Sequence, residues 1–237
     1  MSNSSTHDRT TADENNIRKY DTSPADRQVA IPKLNNEFSV PAYATSKLKR
    51  AGDIVFGSIA VVIASVFTLV VGPIILLQSG FPIFFHQRRV GVNGKVFTLV
   101  KFRTMRVPAD GESWNLRTAD GDARITKLGK LLRRSYIDEL PQFWNVVKGE
   151  MSIVGPRPEL PELEAELSNT NRDFRDRISV KPGITGLAQV KYRHAHGERE
   201  AMRRINFDRL YIQNSSFALD AKIVVLTILR TVRQRGT

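Results

Sequence analysis

An aspartate and a glutamate stand side by side at Asp138-Glu139, with Pro141 just after them, Arg133 and Arg134 just before, and Arg157 further on between Pro156 and Pro158. Proline is tolerated in a first helical turn, where its missing N–H would be unpaired anyway. The pair is therefore expected at or just before the N-terminus of a helix over Pro141 to Lys148 that ends at Gly149. Free N–H groups and the helix dipole there favour anions, keeping a carboxylate ionised and drawing phosphate close. Two adjacent carboxylates can also hold Mg²⁺, which offsets their repulsion and neutralises a diphosphate. The same pair would serve equally as a plain helix cap. Flanking prolines stiffen the backbone that presents Arg157, and a guanidinium suits bidentate phosphate contact. A solvated basic face is the other reading of these arginines. Lys181 to Gly186, KPGITG, is a turn-rich loop whose backbone is free to approach a ligand.

The elements that must position these residues follow from local pattern. FPIFFHQRRV and KVFTLVKFRTM are β-rich runs joined through Asn93-Gly94, a strong hairpin signal. Asp110 to Asp122 is polar with Gly111 and Gly121 and reads as a loop, and Leu128 to Arg134 reads as a helix. Helical patterns also cover 159–177 and 200–213. From Phe217 to Arg235, Leu219, Ile223, Leu226, Leu229 and Val232 recur at helical spacing with Lys222, Arg230, Arg233 and Arg235 interleaved. Such a basic amphipathic helix lies on an anionic bilayer or packs on its own domain.

Ile54 to Leu77 is 24 consecutive residues without a charge, more than the ~20 that cross a bilayer as a helix. Lys47, Lys49 and Arg50 precede it, and Arg88, Arg89 and Lys95 follow. Both flanks are basic, so the positive-inside rule prefers neither orientation of a single span. A segment that enters and leaves on one face would satisfy both flanks, with Gly72-Pro73 as its bend. Spanning and re-entrant forms both stay open.

The 237 residues suit one substantial domain with appendages, and 41% apolar with 25% charged residues excludes wholesale disorder. No cysteine is present, which excludes a disulfide scaffold and a thiolate metal site and suits a reducing compartment. The net charge is +12; the first 46 residues hold five basic and six acidic side chains, so the remainder carries +13. Residues 1–46 show no apolar periodicity and read as a disordered tail that is not a signal peptide. The basic folded part points to an anionic partner: nucleic acid, a membrane surface or a phosphorylated substrate.

With these blocks in place, the chain from about Lys49 to Arg235 closely resembles the bacterial sugar transferases, the monotopic phosphoglycosyl transferases that start exopolysaccharide and other surface-glycan assembly. The blocks are Lys49-Arg50 with Asp53, PIFFHQRRVG at 82–91, KFRTM at 101–105, DARITKLGKLLRRSYIDELPQFWNVVKGEMSIVGPRPEL at 122–160, KPGITGLAQV at 181–190 and FDRLYIQNSSFALDAKIVVLT at 207–227. The long central block is highly specific.

The resemblance implies an α+β, membrane-associated monotopic domain: residues 1–46 a tail, 47–81 a membrane-inserted helix, re-entrant on the family's pattern, and 82–237 the catalytic domain with a β-hairpin and interfacial amphipathic helices. It makes Asp138 the nucleophile that attacks the sugar-proximal phosphorus of a UDP-sugar, expels UMP and hands the sugar phosphate to undecaprenyl phosphate. Glu139 becomes the metal-assisting or proton-handling partner, with Mg²⁺ held by Asp138 and Glu139. Arg133 and Arg157 fall at phosphate contacts, and Lys101 and Arg193 at matching basic positions. UDP-glucose or UDP-galactose is the expected donor, at the cytoplasmic face of the inner membrane, and a homodimer is left open.

Two departures from the family pattern stand out. The usual Ser-Pro break is missing, because Ser65 is followed by Val66 and Gly72-Pro73 comes seven residues later. After Gln189 the family's Gly-Arg-Asn is replaced by Tyr192-Arg193-His194. Larger members carry an extra N-terminal multi-span domain, and the chain looks like the minimal form. His194 and His196 lack a third ligand nearby and read as a solvated loop. Two other classes remain: a nucleic-acid-binding protein, for which no recognition motif is evident and no nucleic acid is expected, and a non-catalytic membrane adaptor.

Overall fold

The computed structural model describes residues 38–106, 122–191 and 198–233. The predicted tail over 1–37, most of the loop before Asp122, and Tyr192, Arg193, His194 and His196 lie outside the described residues. Residues 38–46, counted with the tail from sequence, are folded: Phe38, Val40 and Ala44 pack against a cluster of Val154, Val180, Val190, Tyr211, Ile212 and Ile223. Three apolar residues so spaced carry no periodicity, so only their packing shows where the fold begins.

Helix α1 runs Lys47–Ser79, 33 residues or about 50 Å at 1.5 Å per residue. Ser46 caps its start by accepting from the Lys49 N–H at 3.1 Å. It is continuous through Pro73, and it is the one helix among the described residues long and apolar enough to cross a membrane. Asp53, Gly57, Ala64, Val71, Gly72 and Ile75 form its buried stripe. Ile59, Val62, Val66, Leu69, Val70 and Leu77 on its other sides are exposed, a contiguous apolar face of the kind that marks a membrane contact.

Both ends of α1 are fastened to the rest of the molecule. The Arg50 guanidinium donates to the Val146 and Val147 carbonyls at 2.7 and 2.6 Å. At the other end, buried Arg103 donates to the Ser79 and Gly80 carbonyls, a cation on the negative end of the helix dipole. The helix therefore lies lengthwise along its domain.

Strands β1 (Phe84–Val90) and β2 (Val96–Phe102) form the expected antiparallel hairpin, Phe84 opposite Phe102 and Val90 opposite Val96. Asn93 and Gly94 both take positive φ, 55° and 79°, the conformation that this dipeptide supplies. Helix α2 (Lys127–Ser135) follows, then a 3₁₀ segment (Ile137–Gln142) that runs straight into α3 (Phe143–Lys148). Gly149 ends α3 with φ 88°, as the sequence indicates. The helical stretch begins four residues earlier than predicted, so Asp138 and Glu139 sit inside its first turn and Pro141 within the 3₁₀ segment.

Strand β3 (Ser152–Val154) pairs in parallel with β4 (Gly183–Thr185). Between them come α4 (Pro161–Thr170) and a 3₁₀ segment (Arg172–Ser179). The chain finishes with α5 (Leu187–Lys191), α6 (Glu198–Gln213) and α7 (Phe217–Arg233). Ile223 of α7 is buried in the core while Val225, Ile228 and Leu229 are exposed. The helix thus packs on its own domain through one face and leaves an apolar face exposed. The whole is mixed helix and strand, with one long apolar helix and a small hairpin.

Candidate active site

Along β2, Phe97, Leu99 and Lys101 share one face, because side chains alternate along a strand. Phe97 and Leu99 pack with Phe143, Val146 and Met151, and the same register brings Lys101 onto the 3₁₀ segment. Its Nζ donates to Glu139 Oε1 at 2.8 Å. Arg157 Nη2 donates to the same oxygen at 3.3 Å. Asn145 locks α3 to the free edge of β2: its Oδ1 accepts from Val100 N–H at 3.3 Å, and its Nδ2 donates to the Thr98 carbonyl at 2.7 Å.

Arg133 reaches the site from α2. That helix approaches so closely that a side chain at Gly129 would collide with the Thr104 carbonyl. Arg133 Nε donates to Thr104 Oγ1 at 2.8 Å. Tyr136 closes α2 in the left-handed region, φ 58°, a conformation costing a bulky residue about 1 kcal/mol. The turn it makes carries the chain directly into the segment with Asp138.

The two carboxylates, neighbours in sequence, are electrostatic opposites. Asp138 is only 8% exposed, and among the described residues none donates a hydrogen bond to it. Burial first, and then the Glu139 charge, push its carboxyl up to about 6, against the pull of Lys101, Arg133 and Arg157. Burial also disfavours the Glu139 charge, but Lys101 and Arg157 outweigh it and hold that carboxyl down to about 2. Burial lowers Lys101, while Glu139 raises Arg157. The site thus presents one clamped carboxylate and one unclamped carboxylate, ionised at neutral pH and costly to keep so.

Among the described residues no group of three or more His, Cys, Asp or Glu side chains is arranged to hold a metal. Mg²⁺, however, is commonly held by one or two carboxylates plus substrate phosphates and water. Asp138 has no donor on it among the described residues and Glu139 is bonded through Oε1, so the pair fits such an ion. A cation there would also relieve the desolvated Asp138.

The structure therefore brings together Asp138, Glu139, Lys101, Arg133 and Arg157 from separate segments. Arg193 lies outside the described residues, and Arg134, exposed near the end of α2, stands apart from the cluster. The expectation for Lys181 to Gly186 is corrected. Side chains at Gly183 and Gly186 would collide with the Gly155 backbone, and one at Gly155 with the Lys181 carbonyl. These glycines let two backbones of the protein meet, with Gly183 N–H on the Pro156 carbonyl at 2.8 Å, rather than admitting a ligand. Thr104 and Asn145 are not legible as site residues in the sequence, since an isolated Thr or Asn carries no spacing signal.

The family model described as "Bacterial sugar transferase" matches residues 44–234. A UDP-glucose:undecaprenyl-phosphate glucose-1-phosphate transferase of Klebsiella pneumoniae is 39% identical over 184 residues, 77% of this chain and 39% of that protein. A UDP-N-acetylgalactosamine-undecaprenyl-phosphate N-acetylgalactosaminephosphotransferase of Aeromonas hydrophila is also 39% identical, over 84% of this chain and 46% of that one. The chain thus spans less than half the length of these two relatives. The exopolysaccharide production protein ExoY of Sinorhizobium fredii is 37% identical over 80% of this chain and 87% of its own. Equal identity to relatives named for different sugars means that overall similarity does not select the donor.

Proposed function

The chain belongs to the bacterial sugar transferase family, and from that we propose that it transfers a sugar-1-phosphate from a UDP-sugar to undecaprenyl phosphate, releasing UMP, as the first membrane step of exopolysaccharide assembly. The observation that carries this reading is the unclamped, buried Asp138 beside a Glu139 held by Lys101 and Arg157. A carboxylate poor in hydrogen bonds keeps its lone pairs available to attack phosphorus.

In the first step Asp138 attacks the sugar-proximal phosphorus, and the bond to the UMP oxygen breaks. The sugar phosphate is then carried as an aspartyl phosphate. In the second, an oxygen of undecaprenyl phosphate attacks that phosphorus and the aspartyl–phosphate bond breaks, freeing Asp138. Splitting one hard displacement into two is what a covalent intermediate contributes. Arg133 and Arg157 bind and orient the diphosphate, and Lys101 keeps Glu139 ionised. Mg²⁺ on Asp138 and Glu139 would neutralise phosphate charge and the leaving group. Arg193 is assigned to donor binding by family position.

The exposed apolar face of α1 supports a membrane location. Its two ends are bonded to the same domain and it runs unbroken through Gly72-Pro73, without the bend a re-entrant turn needs, which supports a helix lying along one face of the membrane rather than a span. With both flanks basic, that face is the cytoplasmic side of the inner membrane, where a positive domain meets anionic lipid headgroups. UDP-glucose and UDP-galactose are the donors to test first.

The test is purified protein in nanodiscs with Mg²⁺, undecaprenyl phosphate and a panel of UDP-sugars. UMP released with one sugar is the expected result. Release of UDP instead would mean direct glycosyl transfer and would remove Asp138 from the role of nucleophile.

A further inference from the structure

Arg157 is aimed at Glu139 by a loop that cannot hold itself. Pro156 and Pro158 have no N–H to donate, and the Arg157 side chain is 37% exposed with a long 3.3 Å bond as its tether. The loop is instead fixed through its carbonyls, four in a row. Gly183 N–H donates to Pro156 and Val90 N–H to Glu159, at 2.8 and 3.0 Å. Arg89 Nη1 donates to the Pro158 carbonyl at 2.9 Å. The carbonyl of Arg157 itself accepts from Arg177 Nη2 at 2.6 Å.

Arg177 belongs to a different order of burial from the residue it serves, being 5% exposed. Its Nε donates to Asp208 Oδ2 on α6 at 2.7 Å. Nη1 lies 3.6 Å from Glu164 on α4, and Nη2 lies 3.9 Å from Glu159 in the loop. The guanidinium sits over the Phe174 ring at 4.5 Å. One planar group thus joins α4, α6 and its own 3₁₀ segment to the Arg157 backbone. Burying so many charges is a poor route to stability, because packed apolar side chains of similar volume do as well or better. What an apolar cluster would not supply is a rigid donor on the Arg157 carbonyl.

We infer that Arg177 is a positioning residue for donor binding: it sets the direction of the Arg157 guanidinium without touching substrate. The inference rests on Arg157 being a phosphate contact, as proposed above. Lysine at 177 retains the charge beside Asp208 but is a single point donor that cannot serve both Asp208 and the loop. Arg177→Lys should therefore lower kcat/KM for the UDP-sugar roughly tenfold or more, the effect of one charge-assisted hydrogen bond.

A double-mutant cycle in nanodiscs, read as UMP release and checked by circular-dichroism melting, separates positioning from general support. In the Arg157→Gln background there is no guanidinium to aim, so adding Arg177→Lys should cost less than about twofold further. Full additivity of the two losses would overturn the inference while leaving the transferase reading intact. An Arg157→Gln variant as active as wild type, or a wild type that releases no UMP, would overturn the underlying reading and this inference with it. If Arg177→Lys does not fold, Asp208→Asn weakens the same node with little change of shape. That variant should show the same non-additivity with Arg157→Gln, and additive losses there would likewise overturn the inference.

Discussion

Replacing Asp138 with asparagine should destroy turnover and stabilise the protein at the same time. The carboxyl stands at about 6 in the fold against an ordinary 3.8, a difference worth roughly 3 kcal/mol once the group is ionised. The sign follows from proton affinity. The folded chain holds this proton more tightly than the unfolded one, so the favourable contribution is full below the ordinary pKa and is lost as pH rises through about 6. An asparagine side chain would not ionise, although its buried amide returns about 1–2 kcal/mol in unmet hydrogen bonding. The net gain at about pH 7.5 is then on the order of 1–2 kcal/mol, or roughly 3–6 °C in Tm for a chain of this size. At about pH 5 the wild-type cost halves and the gap should close. Thermal melts of both proteins in the same detergent, with chelator, at the two pH values read this directly. UMP release should fall by about 10⁴-fold or more in the variant. A variant no more stable than wild type at the higher pH, or a gap that ignores pH, would refute the claim that Asp138 is desolvated and unclamped.

Other perturbations probe the same arrangement. The kcat/KM of the wild type for its donor should fall on the acid side, where Asp138 takes up its proton, with the limb at or below about 6 and moving lower as Mg²⁺ is raised; a limb that moves up with Mg²⁺, or lies above about 6, would contradict this. Gly183→Ala should yield little folded protein, because its side chain meets the Gly155 backbone, whereas Gly52→Ala, with nothing within 4 Å, should be neutral or gain up to about 1 kcal/mol in helix propensity. Recovery of detergent-extractable, cooperatively melting protein distinguishes them. Arg50→Met removes the donor on the Val146 and Val147 carbonyls and should cost about 1.5–3 kcal/mol, seen as a lower Tm and as slower UMP release through the loosened α3.

Much of this architecture can be read along the chain. An uninterrupted apolar run dictates a membrane-contacting helix, Asn93-Gly94 dictates the hairpin, and the glycine after Lys148 ends α3. Local chemistry also singles out Asp138, Glu139, Arg133 and Arg157, because their residue types and neighbours bear on charge within a few positions. The rest was decided by residues far apart in sequence meeting in space. KPGITG has the composition of a ligand loop, and only the abutting backbone of Gly155 shows it to be a packing contact. Thr104, Asn145 and Arg177 act through hydrogen bonds to partners 20 to 47 positions away and leave no periodic trace. The same holds most sharply for Asp138 and Glu139. Side by side they share one local environment, yet consecutive side chains on a 3₁₀ turn point about 120° apart. One therefore turns to Lys101 on β2 and Arg157 beyond β3 and is held as an anion, while the other turns into a buried space with no donor among the described residues. Sequence placed two carboxylates at the site; tertiary structure made one the clamp and left the other unclamped.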